Sequence, residues 1–374
     1  MAHDQGSPAP TASVCGLTHM RAFQLTAILI PWVTFAQNAV GDLGGTRPGR
    51  QVGVARAYLA LEIVGLVAGA GLAYEAAAGY RDHRRFPRDG DLIAVGLHQM
   101  HLYCTGQGEP TVILEAPQTG LSAMWRPVQE SVSRFTRVCS YDRAGFGWSE
   151  PGPAPRTSKQ IALELHALLA QAAVPPPFVL VGFSFGGFHV RVYAGQFPAE
   201  VAGVVLVDAS HPDQAARLHL PEDPTQPFRK WQPFIPLLHR FGILRIGLHY
   251  DEPALASLPQ DVRARVLYLR DKTSAYRTLF REGAAWAESA DQVRKSGDLG
   301  AKPLIVLTGG RVADPAWRTL WIDGLQAEMA HLSSRGKQIV VDNSGHGIPF
   351  DAPDAVVNAI QEICAVVHAD AVKQ

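Results

Sequence analysis

Short apolar runs alternate with helix-period patterns along the chain from Asp91 onward. The runs are rich in Val, Ile and Leu, which is typical of the buried strands of a parallel sheet. They predict eight strands, near residues 91–96, 98–104, 111–115, 136–141, 178–183, 202–207, 303–308 and 338–342. The helix-period spacing predicts helices at roughly 122–133, 157–172, 185–197, 318–333 and 352–367. This alternation predicts an α/β fold, an eight-stranded mostly parallel sheet with helices on both faces.

The interval from Ser210 to Lys302 does not follow this alternation. It is rich in Pro, Trp, Phe, Leu and His, and we predict a helical cap over 210–302, inserted after the sixth strand. The sheet domain is then divided into a first part over 90–209 and a second part over 303–370.

Two apolar stretches precede the sheet. Ala22–Gly41 carries no charged residue, and Ala57–Tyr74 carries only Glu62. A helix needs about 20 apolar residues to cross a bilayer core, and both stretches approach that length. We therefore predict an N-terminal transmembrane helix or hairpin within 22–80, behind a disordered leader over 1–21. The alternatives are two helices buried against the domain, or a cleaved signal peptide for the first stretch.

The arginines near these stretches bear on the orientation of the domain. With two spans, one side of the membrane receives Arg21, Arg81, Arg84, Arg85 and Arg88, and the other receives Arg47, Arg50 and Arg56. Positively charged segments stay preferentially in the cytoplasm. The count therefore favours a membrane protein with a cytoplasmic domain, by a small margin.

Composition narrows the range of partners. Hydrophobic residues make up 47% of the chain and charged residues 18%, so a sizeable core is expected. Lys plus Arg and Asp plus Glu both number 34, and this balance gives no basic footprint for nucleic acid. We expect no nucleic-acid partner.

One segment has the spacing of metal ligands, namely His98, His101 and Cys104 in HQMHLYC. The segment is predicted to be a strand, however, and side chains alternate between the two faces of a strand. His98 and His101 then point to opposite sides, where one ion cannot bind both easily. We expect no metal site.

The segment FVLVGFSFGG, residues 178–187, carries the strongest chemical signal. A strand pattern ends in Gly-x-Ser-x-Gly and a helix pattern begins at once, which is the context of a nucleophile elbow. Gly182 and Gly186 suit a turn so tight that a Cβ atom at either position would clash. The pattern predicts Ser184 as a catalytic nucleophile, exposed at the carboxyl edge of the sheet beside a helix N-terminus.

A nucleophilic serine needs a base and an acid. His346 lies in the small-residue loop SGHG after the last predicted strand and is the predicted general base. Two residues are candidates for the acid. Asp314 follows the seventh strand, which is the usual position of the third triad member, whereas Asp208 ends the sixth strand. The gap between Gly310 and Asp314 is long for the usual turn, and this slightly favours Asp208.

The oxyanion hole of such a site needs two backbone N–H donors. Phe185, which follows the nucleophile, is the first candidate. The second should come from the loop after the third strand, LEAPQTGLS. Pro117 has no N–H group, so Gln118 is the candidate there.

Four motifs together carry a family resemblance: YDRAGFGWS (141–149), GFSFGG (182–187), LVDASHPDQ (206–214) and SGHGI (344–348). They resemble the α/β-hydrolase fold family, and within it a membrane-anchored, actinobacterial-type branch of serine hydrolases. The resemblance covers about residues 57–367 and implies a helical cap and hydrolysis without a cofactor. It also implies that epoxide hydrolases and dehalogenases of this fold use Asp where this chain has Ser184.

The expected function is therefore hydrolysis of a small-molecule carboxylic ester through a Ser-His-Asp triad and an acyl-enzyme. The aromatic residues of the predicted cap, together with the membrane anchor, suggest an apolar or lipid-like substrate. One alternative is an amidase or peptidase, because the same triad cleaves both bonds. The other is a binding protein that keeps the fold without catalysis.

Resemblance to this fold also places the second and fourth strands side by side. Cys104 and Cys139 could then form a cross-strand disulfide, which would indicate an oxidising compartment. The favoured alternative is two buried thiols that pack as small apolar side chains.

Overall fold

The structure, a computed structural model, describes residues 49–118, 120–250 and 255–373. The predicted leader over 1–21 and the first apolar stretch over 22–41 lie outside the described residues. Side chains are described from residue 58, except at 248–250.

One eight-stranded sheet forms the centre of the molecule, with the strand order β1-β2-β4-β3-β5-β6-β7-β8. Its strands are β1 (Asp91–Val95), β2 (His98–Thr105), β3 (Thr111–Glu115), β4 (Val138–Tyr141), β5 (Phe178–Phe183), β6 (Val201–Val207), β7 (Leu304–Gly309) and β8 (Gly336–Val341). β2 pairs antiparallel with β1 and β4, and the remaining pairs are parallel. The predicted fold class and its eight strands are confirmed.

Helices cover both faces of this sheet. The helices outside the insertion after β6 are α1 (Gly49–Arg85), α2 (Arg126–Val132), α3 (Ser158–Gln171), α4 (Gly186–Gln196), α11 (Pro315–Arg318), α12 (Ala327–Ala330), α13 (Ile348–Asp351) and α14 (Pro353–Val372). A 3₁₀ helix, Ser122–Trp125, precedes α2, and a π-helix, Thr319–Gln326, joins α11 to α12.

Neighbouring residues of one strand pack into different cores, as the alternation of side chains requires. Val112 and Leu114 of β3 face the core that includes Val128 of α2 and Ile360 of α14. Ile113, between them, faces the core that includes Leu165 of α3 and Val190 of α4. The central strands β3, β5 and β7 are therefore buried on both sides, which explains their largely apolar sequences.

The insertion between β6 and β7, residues 210–302, is helical within its described part, and we call it the cap. Its α-helices are α5 (Gln214–Arg217), α6 (Ile235–Arg240), α7 (Ile243–Tyr250), α8 (Gln260–Arg270), α9 (Thr273–Ala284) and α10 (Trp286–Lys295). A 3₁₀ helix, Gln226–Phe234, leads into α6.

Helix α1 contains the second apolar stretch. Within its segment Tyr58–Arg85, an 18-residue stretch has a mean hydropathy of 1.5, and the segment is long and apolar enough to cross a membrane. Leu61, Leu66 and Val67 expose more than half of their side-chain surface. Helix α14 passes the same test of length and composition, but Val356, Ile360 and Ile363 are buried in the core. Of these two helices, α1 is therefore the one with an unpacked apolar surface.

Cys104 and Cys139 lie directly opposite each other on the antiparallel strands β2 and β4, and they form a disulfide. The favoured expectation of two free thiols is wrong. The register of this strand pair could not be predicted from the sequence. It is this register that places the two sulfur atoms opposite each other.

His101, one of the residues with metal-ligand spacing, has other partners. Its Nδ1 atom lies 2.9 Å from Oδ2 of Asp142, and its Nε2 atom hydrogen-bonds to the carbonyl oxygen of Asp89. With Cys104 in the disulfide, the three residues do not form a ligand set.

Candidate active site

The predicted nucleophile lies at a sharp turn between β5 and α4. Ser184 has a φ of +53°, in the left-handed region that non-glycine residues rarely adopt. A Cβ atom at Gly182 would lie 2.8 Å from the carbonyl oxygen of Gly186, and one at Gly186 would lie 2.8 Å from that of Ala116. The turn is therefore closely packed on both sides, and strain of this kind persists only where the surroundings hold it.

The structure brings Ser184, His346 and Asp208 together. The Nε2 atom of His346 lies 3.1 Å from Oγ of Ser184, and its Nδ1 atom lies 2.6 Å from Oδ2 of Asp208. The three residues come from the ends of β5, β8 and β6, which meet at one edge of the parallel sheet. A hydroxyl, an imidazole and a carboxylate connected in this way can move the hydroxyl proton to the imidazole.

Asp208 is held by contacts that leave one oxygen for His346. Its Oδ1 atom accepts hydrogen bonds from the backbone N–H of Gly309, at 3.1 Å, and from Nε1 of Trp321, at 3.2 Å. The residue is buried and has a φ of +37°. Since Oδ1 is occupied, Oδ2 is directed to the imidazole.

Asp314, the other candidate acid, is placed differently. It caps the short helix α11, where its Oδ1 atom accepts a hydrogen bond from the N–H of Ala316 at 2.9 Å. Its side chain is half-buried at this helix end. The carboxylate partner of His346 is thus Asp208 rather than Asp314.

The two predicted oxyanion-hole residues flank the turn. Phe185 precedes the first residue of α4, and the N–H groups of a first helical turn have no acceptor within the helix. Its ring is fully buried and stacks on Trp286 of the cap, with ring centroids 4.3 Å apart. Gln118 lies on the loop after β3, whose residue Ala116 contacts the turn at Gly186. The side chain of Gln118 is buried, and neither of its polar atoms has a partner within the described residues.

Arg143, which follows β4, is a site residue that the sequence analysis did not single out. Its guanidinium donates hydrogen bonds to the carbonyl oxygens of Ala116 and Pro117, at 2.7 and 2.9 Å, and more weakly to that of Gln118, at 3.3 Å. The buried side chain of Arg143 therefore holds three consecutive carbonyl groups of the loop that carries Gln118.

Two buried carboxylates hold Arg143 in turn. Glu115 of β3 lies 2.7 Å from its Nη1 atom, and Glu282 of α9 accepts from Nε and Nη2 at 2.9 and 3.0 Å. The Glu282 pair is bidentate, the strongest geometry for such a contact. It connects the cap to the loop that carries Gln118.

Burial shifts the protonation equilibria of this network. Burial raises the pKa of Glu115 to about 7, although Arg143 and the hydroxyl of Tyr141 both favour the charged form. The pKa of Arg143 is raised, because its two carboxylate partners outweigh the effect of burial. The guanidinium therefore stays charged under the loop.

The signal for Arg143 was present in the sequence. Arg143 lies in the segment YDRAGFGWS, where two charged residues, Asp142 and Arg143, directly follow a buried strand. Charged side chains are almost never fully buried without partners. The sequence could not identify those partners, because Glu282 is 139 residues away.

Comparison with known proteins agrees with this architecture. The alpha/beta hydrolase family matches residues 116–359. The uncharacterized protein YqjL of Bacillus subtilis is 25% identical over 266 residues, which cover 70% of this chain and 86% of the relative.

Two solved structures illustrate the likeness in fold. The Cif epoxide hydrolase from Acinetobacter nosocomialis gives a TM-score of 0.61 at 14% identity, covering 78% of this chain and 96% of that one. A thermophilic esterase from Thermogutta terrifontis gives a TM-score of 0.54 at 20% identity, covering 75% and 100%. At these identities the likeness concerns the fold alone.

Proposed function

Because this chain belongs to the alpha/beta hydrolase family, we propose that it is a membrane-anchored serine hydrolase that cleaves carboxylic esters. The observation that carries the proposal is the hydrogen-bonded series from Ser184 through His346 to Asp208, at 3.1 and 2.6 Å. These distances lie within the range in which a base can take a proton from a nucleophile.

In the proposed reaction, Oγ of Ser184 attacks the ester carbonyl carbon while Nε2 of His346 takes the hydroxyl proton. The tetrahedral intermediate collapses, and the alcohol leaves with the proton from His346. A water molecule then attacks the acyl-enzyme with His346 as base, and the carboxylic acid is released. Asp208 stabilises the imidazolium in both halves of the reaction.

The charge on the carbonyl oxygen needs donors that are already in place. The backbone N–H groups of Phe185 and Gln118 are the proposed donors, and the N-terminus of the eleven-residue helix α4 adds its positive dipole end. Arg143 supports this arrangement because it fixes the loop that carries Gln118.

Aromatic side chains border the base. The ring of Phe183 lies 5.1 Å from that of His346, and Phe350 packs against Phe183. Esters that place a hydrocarbon chain near this position would gain from leaving water. We therefore propose an apolar or lipid-like ester as substrate.

Fluorophosphonate labelling tests the catalytic proposal. The wild-type chain and Ser133→Ala, which alters a hydroxyl bonded to the Glu130 carbonyl on the surface, should be labelled equally. Ser184→Ala should not be labelled. An unlabelled wild-type chain would favour a binding protein, and labelling of Ser184→Ala would assign the nucleophile to another residue.

Substrate preference is measured separately. Rates over p-nitrophenyl esters from two to twelve carbons should rise with chain length before solubility limits them, and the matching p-nitroanilides should react far more slowly. Faster cleavage of the anilides would favour the amidase alternative.

The membrane anchor rests on α1, whose segment Tyr58–Arg85 has the length and apolarity of a span and an exposed surface. The full chain should float with liposomes on a density gradient and should resist extraction by alkaline carbonate. Release by carbonate would contradict a transmembrane anchor.

A further inference from the structure

The cap exposes large apolar side chains on one of its corners. Phe234, Leu237 and Ile246 each expose slightly more than half of their surface, at 52%, 53% and 55%. They lie at the end of the 3₁₀ helix and on α6 and α7. The opposite sides of these helices are buried around Ile235 and Leu238. We call Phe234, Leu237, Phe241 and Ile246 the apolar corner.

The apolar corner adjoins the anchor helix. A Cβ atom at Gly71 would lie 2.7 Å from the backbone oxygen of Phe241, and one at Gly242 would lie 2.8 Å from the ring of Tyr74. Phe241 follows Leu237 by one helical turn, and their backbones are hydrogen-bonded. The exposed face of α6 therefore runs directly to the contact with α1.

This contact lies inside the apolar part of α1. The stretch 57–74 would span about 27 Å as a helix, slightly less than the roughly 30 Å of a bilayer core. A membrane-spanning α1 must use this whole stretch, so Gly71 lies within the membrane boundary and not outside it. The backbone that touches Gly71 is consequently at the same depth, at the edge of the hydrocarbon.

Buried ion pairs fix the cap to α1 in this position. Arg245 of α7, whose side chain is only 4% exposed, donates to both oxygens of Glu75 at 2.9 Å. It also pairs with Asp82, two turns further along α1, and with Asp271 of the cap. Removing one member of a buried ion pair leaves an uncompensated charge, so this contact resists tilting of the cap away from the helix.

Exposed basic residues are close in sequence to the apolar corner on the cap, and others follow on α1. Lys230 and Arg240 are exposed on the cap, and Lys230 lies 6.0 Å from the ring of Trp231. Arg84 and Arg85 are exposed on α1 beyond its apolar stretch. Apolar residues bordered by Lys, Arg and Trp suit the headgroup region of an anionic bilayer.

We propose that the apolar corner inserts into the headgroup region of an anionic lipid bilayer beside α1. The proposal rests on the membrane anchor proposed above and adds a second contact with the lipid. The cap is then held at the bilayer surface by its own side chains as well as by the anchor.

Depth-dependent fluorescence quenching tests this. The full chain, with Cys15→Ser and Cys364→Ala, receives Leu237→Cys and an NBD label, and is reconstituted into vesicles of phosphatidylcholine and phosphatidylglycerol. The control is Leu163→Cys on α3, because Leu163 is similarly exposed, at 43%, but lies on a helix of the sheet domain. Lipids with a doxyl group near the headgroup should quench the label at 237 at least twofold more than the label at 163.

Each other result has a definite meaning. Equal quenching at 237 and 163 in a chain that floats with the vesicles overturns the insertion of the corner and leaves the anchor intact. A blue-shifted but unquenched label at 237 means that protein, such as a second copy of the chain, covers the corner, and it also overturns the proposal. A chain that does not float refutes the anchor and the insertion together.

A charge variant provides a second measurement. Leu237→Asp should retain the thermal melting curve of the parent, since the side chain is exposed, and should reduce the quenching at a label placed on Ile246→Cys. Unchanged quenching at 246 in Leu237→Asp would contradict insertion of the corner.

Discussion

Asp208 and His346 are 138 residues apart in the sequence, yet Oδ2 of the aspartate lies 2.6 Å from Nδ1 of the imidazole. The contact requires β6 and β8 to end at the same edge of the sheet, on either side of β7. Asp208 can accept this hydrogen bond because Gly309 and Trp321 fix its other oxygen. The sequence patterns left Asp208 and Asp314 as alternatives, and in the structure it is Asp208 that contacts His346.

Asp208→Asn should therefore lower kcat by about 10⁴-fold, because the amide favours the wrong imidazole tautomer. Asp314→Asn should leave kcat within about twofold of the wild type. It is a matched control, since Asn caps a helix N-terminus about as well as Asp does. Rates on one p-nitrophenyl ester decide between them. A large loss in Asp314→Asn, with Asp208→Asn active, would reverse the assignment of the acid.

The sheet could be predicted from the sequence because its central strands are largely apolar and the helices between the strands have a clear period. Ser184 and His346 could be singled out because their motifs are local, a few residues long. Asp208, Arg143 and the cysteine pair could not be assigned in this way. Their partners are 138, 139 and 35 residues away, and only the strand order and register bring them together. The sequence of the loop after β3 likewise does not indicate that Arg143 hydrogen-bonds to its carbonyl groups.

Glu282 is proposed as a positioning residue for the oxyanion loop, because it holds Arg143 against the carbonyls of Ala116 and Pro117. Glu282→Gln should lower kcat by ten- to a hundredfold with little change in KM, since the loss of an oxyanion donor costs about 10²–10³-fold. The rate of fluorophosphonate labelling should fall in parallel, because phosphonylation uses the same donors.

Glu164→Gln is the matched control for this experiment. Glu164 is a buried glutamate that pairs with a buried arginine, Arg156, at 2.6 Å. Both substitutions should lower the melting temperature, because each removes a carboxylate partner of a buried guanidinium. Only Glu282→Gln should slow the reaction at 25 °C. An equal loss of kcat in both variants would show that Glu282 contributes only to stability, and would contradict its role in positioning the oxyanion loop.

The His101–Asp142 pair should make stability depend on pH. Burial lowers the pKa of His101, but the charge and hydrogen bond of Asp142 outweigh it, and the net pKa is raised above the ordinary imidazole value of 6.5. The hydrogen bond to the Asp89 carbonyl adds to this effect, whereas Arg88 opposes it. Because the folded protein holds the proton more tightly, the pair contributes fully below pH 6.5, and the contribution disappears as pH rises through the folded pKa.

His101→Gln should therefore destabilise the protein most at pH 6 and least at pH 9. Urea denaturation midpoints of the wild type and the variant, taken at half-unit steps of pH, measure the difference. His331→Gln, at an exposed position, serves as the control and should differ from the wild type by a constant amount. A His101→Gln difference that grows with pH would contradict the raised pKa.

The disulfide between Cys104 and Cys139 bears on the compartment of the domain. Disulfides persist in oxidising environments and are rare in the cytosol. We therefore propose that the domain faces an oxidising compartment, which opposes the small preference from the arginine count. Peptide mass spectrometry of unreduced, alkylated protein from its own membrane should find Cys104 linked to Cys139, whereas Cys364, a buried free thiol, should be alkylated once the protein is denatured.

Stability provides an independent measure of the same bond. The two cysteines are 35 residues apart, and closing a loop of this length is worth about 4 kcal/mol in the chain-entropy model. The double substitution Cys104→Ala, Cys139→Ala should lower the free energy of unfolding by roughly that amount. Dithiothreitol should lower the denaturation midpoint of Cys364→Ala as much as that of the wild type, because Cys364 is a free thiol and its substitution leaves the disulfide in place. A double variant with the stability of the wild type, together with full alkylation of Cys104 and Cys139 in unreduced protein, would show two free thiols and restore the cytoplasmic orientation.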